Sequence, residues 1–125
     1  VFPDIGFFFL SWFTFDSMIP DPLTTAVFGA ADQRWVTGLG AIMGNTVTLN
    51  VELTSGGIFN SSEPLATPET GYGTITIVFT SCNEALLTYE FPSVGLSGQM
   101  ILTRSLLDNV PLCEMLNAEL QMNPP

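Results

Sequence analysis

Alternation of apolar and polar residues with a period of two runs through most of this chain, and it constrains the fold more than any other feature. Thr46–Leu53 reads TVTLNVEL, with Val47, Leu49, Val51 and Leu53 on one side and Thr46, Thr48, Asn50 and Glu52 on the other. Gly73–Thr80 repeats the pattern with Ile75, Ile77 and Phe79 inward. Glu84–Phe91 repeats it with Ala85, Leu87, Tyr89 and Phe91 inward. Trp35–Ile42 and Gly98–Arg104 read as further strands. Successive side chains of a strand point to opposite faces, so each segment fits an antiparallel sheet with one face buried. Met43-Gly44-Asn45 joins the first pair as a hairpin turn, Ser81–Asn83 joins the next, and Pro92–Ser97 leads into the last strand. The expectation is an all-β fold: an antiparallel meander closing into a barrel or sandwich, since a sheet must hide both its core face and its edges.

One strand breaks the alternation. Gly6–Asp16 is apolar on both faces, with Phe7, Phe9, Phe13 and Phe15 on one and Phe8, Leu10 and Trp12 on the other. Such a strand is either central and covered twice, or it touches a neighbouring molecule. The apolar run is about half the roughly 20 residues of a membrane-spanning helix, so no membrane insertion is expected. It also lacks the basic flank of a signal peptide.

The 125 residues make one domain, 1–125. Two loops are long, Ser17–Gln33 and Thr54–Tyr72. Residues 105–125 read as a short C-terminal tail, with Glu114–Gln121 as a candidate helical stretch and a loose final MNPP.

Charge and composition remove whole classes of function. There are 12 acidic residues against two basic ones, Arg34 and Arg104, giving a net charge of −10. That charge repels phosphate backbones and anionic membrane surfaces, so nucleic acid is not an expected partner. Histidine and lysine are both missing. Without histidine there is no Ser-His-Asp machinery and no imidazole ligand for zinc or haem. Without lysine there is no P-loop lysine and no Schiff base. No cofactor is indicated. Asp16, Asp21 and Asp32 bracket the first long loop without the spacing of a calcium loop, so no metal is expected.

The two cysteines, Cys82 and Cys113, fit a structural disulfide of an oxidising compartment. A reactive thiol would need a neighbouring cation that neither histidine nor lysine supplies. On the chain-entropy view, closing a loop of about 30 residues stabilises by roughly 3–4 kcal/mol.

The remaining candidates are carboxylates and aromatics. Two carboxyl groups held about 5–9 Å apart can hydrolyse a glycoside, and Glu52, Glu84 and Glu90 lie on outward strand faces. The competing reading is solvated surface charge. Tyr72, in a Gly-Tyr-Gly loop setting, is the best exposed candidate for a ligand-binding aromatic, and Trp35 is a second candidate; Trp12 reads as core. Asn60-Ser61-Ser62 is a glycosylation sequon.

The strings FLSWFTFD (Phe9–Asp16), QRWVTGLG (Gln33–Gly40), GNTVTLNVELTSGGIF (Gly44–Phe59), GTITIVFTSCNEALLTYEF (Gly73–Phe91), SGQMILTR (Ser97–Arg104) and LDNVPLCE (Leu107–Glu114) follow one another in order. Together they resemble a recurrent β-domain of secreted and surface proteins of proteobacteria. The resemblance covers nearly the whole chain and implies a fold and a location, but no chemistry. It also implies the pairing of Cys82 with Cys113. Relatives of that kind carry a Gly-rich strand ahead of the VFPDIGF segment, so Val1-Phe2 reads as the remnant of a first strand.

These readings lead to a non-catalytic structural or interaction module of a bacterial surface or extracellular assembly. Its expected partners are other protein chains or copies of itself, met through an exposed strand edge and capable of building filaments. A carbohydrate-binding module, with a glycan as partner, is the first alternative. A two-carboxylate glycoside hydrolase is the second.

Overall fold

The computed structural model describes residues 3–15, 33–56 and 60–122. Val1-Phe2, expected from sequence as a strand remnant, Asp16, the first long loop up to Asp32 with Asp21, and residues 57–59 and 123–125 lie outside them.

Six strands follow one another as β1 (Phe7–Phe15), β2 (Gln33–Met43), β3 (Thr46–Ser55), β4 (Thr67–Phe79), β5 (Glu84–Phe91) and β6 (Leu96–Thr103). They form one antiparallel sheet in the order β1-β2-β3-β4-β5-β6, a pure meander. A single helix, α1 (Val110–Met122), ends the described chain. It is longer than the stretch expected from sequence, because Pro111 fits a first turn and Leu, Met, Glu, Ala and Gln all favour helix. No helix among the described residues is long and apolar enough to cross a membrane.

The expected alternation is what packs the core. Val47, Leu49 and Val51 of β3 and Ile75 and Ile77 of β4 are fully buried on one face, with Ala85, Leu87 and Phe91 of β5 beside them. Phe8, Leu10 and Trp12 of β1 and Met100 and Leu102 of β6 pack onto the same cluster from opposite ends of the sheet. Trp12 lies 5.6 Å from Tyr89, ring centre to ring centre, although three strands separate β1 from β5. A flat sheet would hold those strands far apart, since neighbours are spaced by about 4.8 Å. The sheet is therefore curled onto its apolar face.

Glycine makes part of the curl. Gly40 occupies an inner position of β2, and a Cβ there would overlap the Thr48 carbonyl oxygen of β3. The backbones approach more closely than any side chain permits.

The curl stops short of the closed barrel or two-sheet sandwich expected from sequence. All six strands belong to one sheet, and β1 and β6 form no ladder with each other. Among the described residues the domain is a curled half-barrel with two edges.

A second departure concerns β4, which begins at Thr67 rather than Gly73 and so absorbs the end of the second long loop. Its ladder with β3 is broken by a bulge. Val51 pairs with Gly73 and Leu53 with Glu69, so a step of two on β3 (51 to 53) meets a step of four on β4 (73 to 69). Gly71 sits at this bulge with φ of +71°, a conformation that glycine adopts without strain.

Candidate functional site

The bulge decides the fate of Tyr72. The extra residues turn its ring from the solvent side into the core, where it is only 2% exposed and lies 5.1 Å from the ring of Phe91. The expectation that Tyr72 is an exposed ligand-binding aromatic is thus corrected. A Gly-Tyr-Gly string looks like a loop, but its glycines serve a bulge inside a strand. Trp35 is placed differently: it is 48% exposed on the outer face of β2 and meets Phe13 of β1 edge-to-face at 5.5 Å.

Cys82 and Cys113 form a disulfide that joins the β4–β5 turn to α1. The turn itself is built by Ser81, whose Oγ accepts from the Asn83 and Glu84 backbone N–H groups at 3.1 and 3.0 Å. Arg104 donates its Nε–H to the Cys82 carbonyl at 2.7 Å, holding the end of β6 against the same turn. Asn117 of α1 donates to the Cys82 sulfur at 3.3 Å. The helix buries no residue, so the disulfide and this contact are its main hold on the sheet.

The carboxylate candidates are not brought face to face. Glu52 pairs with Thr37, Glu84 with Thr103, and Glu90 with Thr74 and Ser97. Among the described residues no group of three His, Cys, Asp or Glu side chains is placed to hold a metal ion. Asn60, the sequon residue, is exposed and has φ of +60°.

Two features of the described chain remain as sites. The first is the pair of sheet edges. In β1, the Gly6 carbonyl accepts from the Ile42 N–H at 2.8 Å. Antiparallel ladders alternate, so Phe7, Phe9, Ser11 and Phe13 direct their own N–H and C=O groups to the free edge. In β6, the Arg104 N–H donates to the Asn83 carbonyl, which by the same rule turns Ser97, Gln99, Ile101 and Thr103 to the other free edge. Neither strand contains a charged residue or a proline, and neither ladder is bulged. Protected edges ordinarily carry such features. Between the edges lies a hollow of about 250 Å³, whose wall includes Phe8 and Leu10 of β1, Phe79 and Ala85, and Leu102 of β6. Asn83 lines the same hollow, and its Oδ1 is buried with no hydrogen-bond partner among the described residues.

The second feature is the outer face of β1 and β2. Phe9 and Phe13 of β1 are exposed there beside Trp35, Leu39 and Met43 of β2. Sequence reasoning named Trp35 and saw that the Phe-rich strand is apolar on both sides. It did not single out Phe9 and Phe13, although their outward phase was readable once β1 was placed at an edge. No family model matches the chain, and no curated protein or solved structure does either.

Proposed function

We propose that this chain is a non-catalytic structural or interaction module of a bacterial surface or extracellular assembly, joined to other protein chains or to copies of itself by strand addition. The observation that carries the reading is the pair of edges that no described strand covers, flanking one largely apolar hollow. An added strand gains main-chain hydrogen bonds from the edge and side-chain contacts from the hollow. Its inward residues fill the space between Phe8, Leu10 and Leu102, completing the barrel that the six strands leave open. If β1 of one copy meets β6 of the next, the contact is head-to-tail; where the rotation does not close, it builds a filament.

Other features support the reading. Neither histidine nor lysine occurs in the 125 residues, which removes the commonest nucleophile-activating and proton-transferring groups. The Cys82–Cys113 bond fits an oxidising, extracytoplasmic location. The order of motifs from FLSWFTFD to LDNVPLCE supports a surface protein of proteobacterial type.

Light scattering over a concentration series, combined with hydrogen exchange, tests the proposal. Expected is growth of assemblies with concentration, abolished by a Ser11→Pro/Ile101→Pro variant that removes one edge N–H from each side and leaves the internal ladders intact. A monomer at every concentration, with slow exchange of the Phe9, Ser11 and Phe13 amides, would overturn it, because slow exchange means that the edge is already covered.

A further inference from the structure

Two polar groups in the wall of the apolar hollow lack partners that the chain itself would be expected to supply. Arg104 continues the inward phase of Met100 and Leu102 just past the end of β6, and it lines the hollow together with Leu102, Phe8 and Leu10. The Cys82 carbonyl accepts from its Nε–H, which orients the guanidinium; its Nη1 and Nη2 amino groups have no partner among the described residues. The sequence holds 12 acidic residues against two basic ones, yet no described carboxylate forms an ion pair with Arg104. Glu84 also borders the hollow, but it belongs to the outward set of β5, opposite Thr103, and makes no such pair. The second group is Asn83, whose Oδ1 is buried with no hydrogen-bond partner among the described residues. A buried acceptor left unpaired is unfavourable, so a ligand that brings a donor gains there.

Together these groups define the occupant. A guanidinium with free amino groups takes an oxyanion. Phe8, Leu10, Ala85 and Leu102 take apolar groups, and the Asn83 oxygen takes an N–H or O–H donor. An acyl chain ending in a carboxylate meets the first two demands and leaves the buried oxygen unpaired. A phosphate brings about twice the charge of a carboxylate to a chain of net charge −10. A peptide strand meets all three demands, with a carboxylate side chain, apolar side chains on the same face and backbone N–H groups.

We propose that the strand accepted by this hollow is acidic: it bears an aspartate or glutamate opposite Arg104 and an apolar residue two positions away on the same face, opposite Leu102. The spacing follows from strand geometry, since same-face neighbours such as Leu102 and Arg104 stand about 7 Å apart along the chain. The inference rests on the strand-addition reading and adds a rule of partner choice to it. Main-chain bonds to the edge are indifferent to sequence, whereas the carboxylate selects the partner and its register.

The test uses the intact disulfide-bonded chain, at a concentration too low for self-assembly, and heptapeptides capped at both ends. Each peptide alternates valine with threonine. An aspartate replaces the first valine in one and the last valine in another, because a strand can enter in either direction; matched twins carry asparagine instead. Binding is read from the anisotropy of a dye on the peptide. One aspartate peptide is expected to bind about tenfold more tightly than its asparagine twin, as a charge-assisted hydrogen bond would give. Arg104→Gln should abolish that preference while the asparagine twin binds as before, and Arg104→Lys should keep part of it. In the parent, about 1 M salt should shrink the preference. Equal affinity of the twins would overturn the acidic rule and leave strand addition standing, as would a preference that survives Arg104→Gln or is indifferent to salt. Binding of decanoate in place of the aspartate peptides would assign the hollow to an acyl chain and overturn the rule. No binding of any peptide up to about 1 mM would overturn strand addition and the rule with it.

Discussion

On the inner face of β1, Phe8, Leu10 and Trp12 pack against the core; on the outer face of the same strand, Phe9 and Phe13 stand 47% and 66% exposed. The residue types hardly differ. What differs is the curl, which brings β4, β5 and β6 over one face and leaves the other to solvent. Apolar character on both sides of a strand therefore marks a candidate contact surface only on the convex side of a curled sheet. There it is not consumed by the chain's own core.

The contrast between the faces is broken most strongly from inside. Phe91 is buried between Tyr72, Tyr89 and Trp12. Phe91→Ala should cost about 3–5 kcal/mol, as aromatic truncations in cores do, read as a fall in the denaturation midpoint with an unchanged slope. Gly40→Ala acts on the curl itself. Its new Cβ meets the Thr48 carbonyl, which belongs to the backbone and has little freedom to move. A loss of about 1–3 kcal/mol is expected, at the upper end of that range, together with reduced contact between Trp12 and Tyr89 by NMR.

The disulfide sharpens the comparison in a different way. The chain-entropy estimate of roughly 3–4 kcal/mol assumes that the folded state holds both cysteines in place without the bond. Here α1 buries nothing, and its hold on the sheet is largely the bond itself together with Asn117. Removing the link frees the tail in the folded state as well as in the unfolded one. A Cys82→Ser/Cys113→Ser variant should thus destabilise the sheet by less than about 1 kcal/mol while losing helical signal, because a 13-residue helix alone is marginal in water. A loss of the full amount in a denaturation curve would show that α1 contributes to the packing of the sheet.

The smallest expected effect is outside. Phe13→Ser removes an exposed ring from the edge strand, and stability should stay within about 0.5 kcal/mol of the parent by thermal unfolding. A larger loss would mean that the outer face is packed, contrary to its exposure.

Much of this was legible in the residues. The period of two marked the inward sets of β3, β4 and β5, from Val47, Leu49 and Val51 to Ala85, Leu87 and Phe91, because side-chain direction in a regular strand depends only on position along it. The two cysteines had one possible intramolecular partner each. Trp35 could be named as a candidate ligand-binding aromatic, though not its outward face.

Other features depended on relations between distant segments, which no local pattern encodes. Tyr72 went inward because a bulge against Val51 and Leu53 shifted its phase, and the need for that bulge arises from the β3 register. Whether six strands close is decided by the total curl, to which Gly40 contributes through its contact with another strand. The edge-to-face contact of Phe13 with Trp35 exists only in the β1–β2 pairing, since these residues lie far apart in the chain and become neighbours by register alone. Alternation is a one-strand property and can be read from one strand; closure, phase at a bulge and the contacts of cross-strand neighbours are properties of pairs of strands, and they were decided by the tertiary structure.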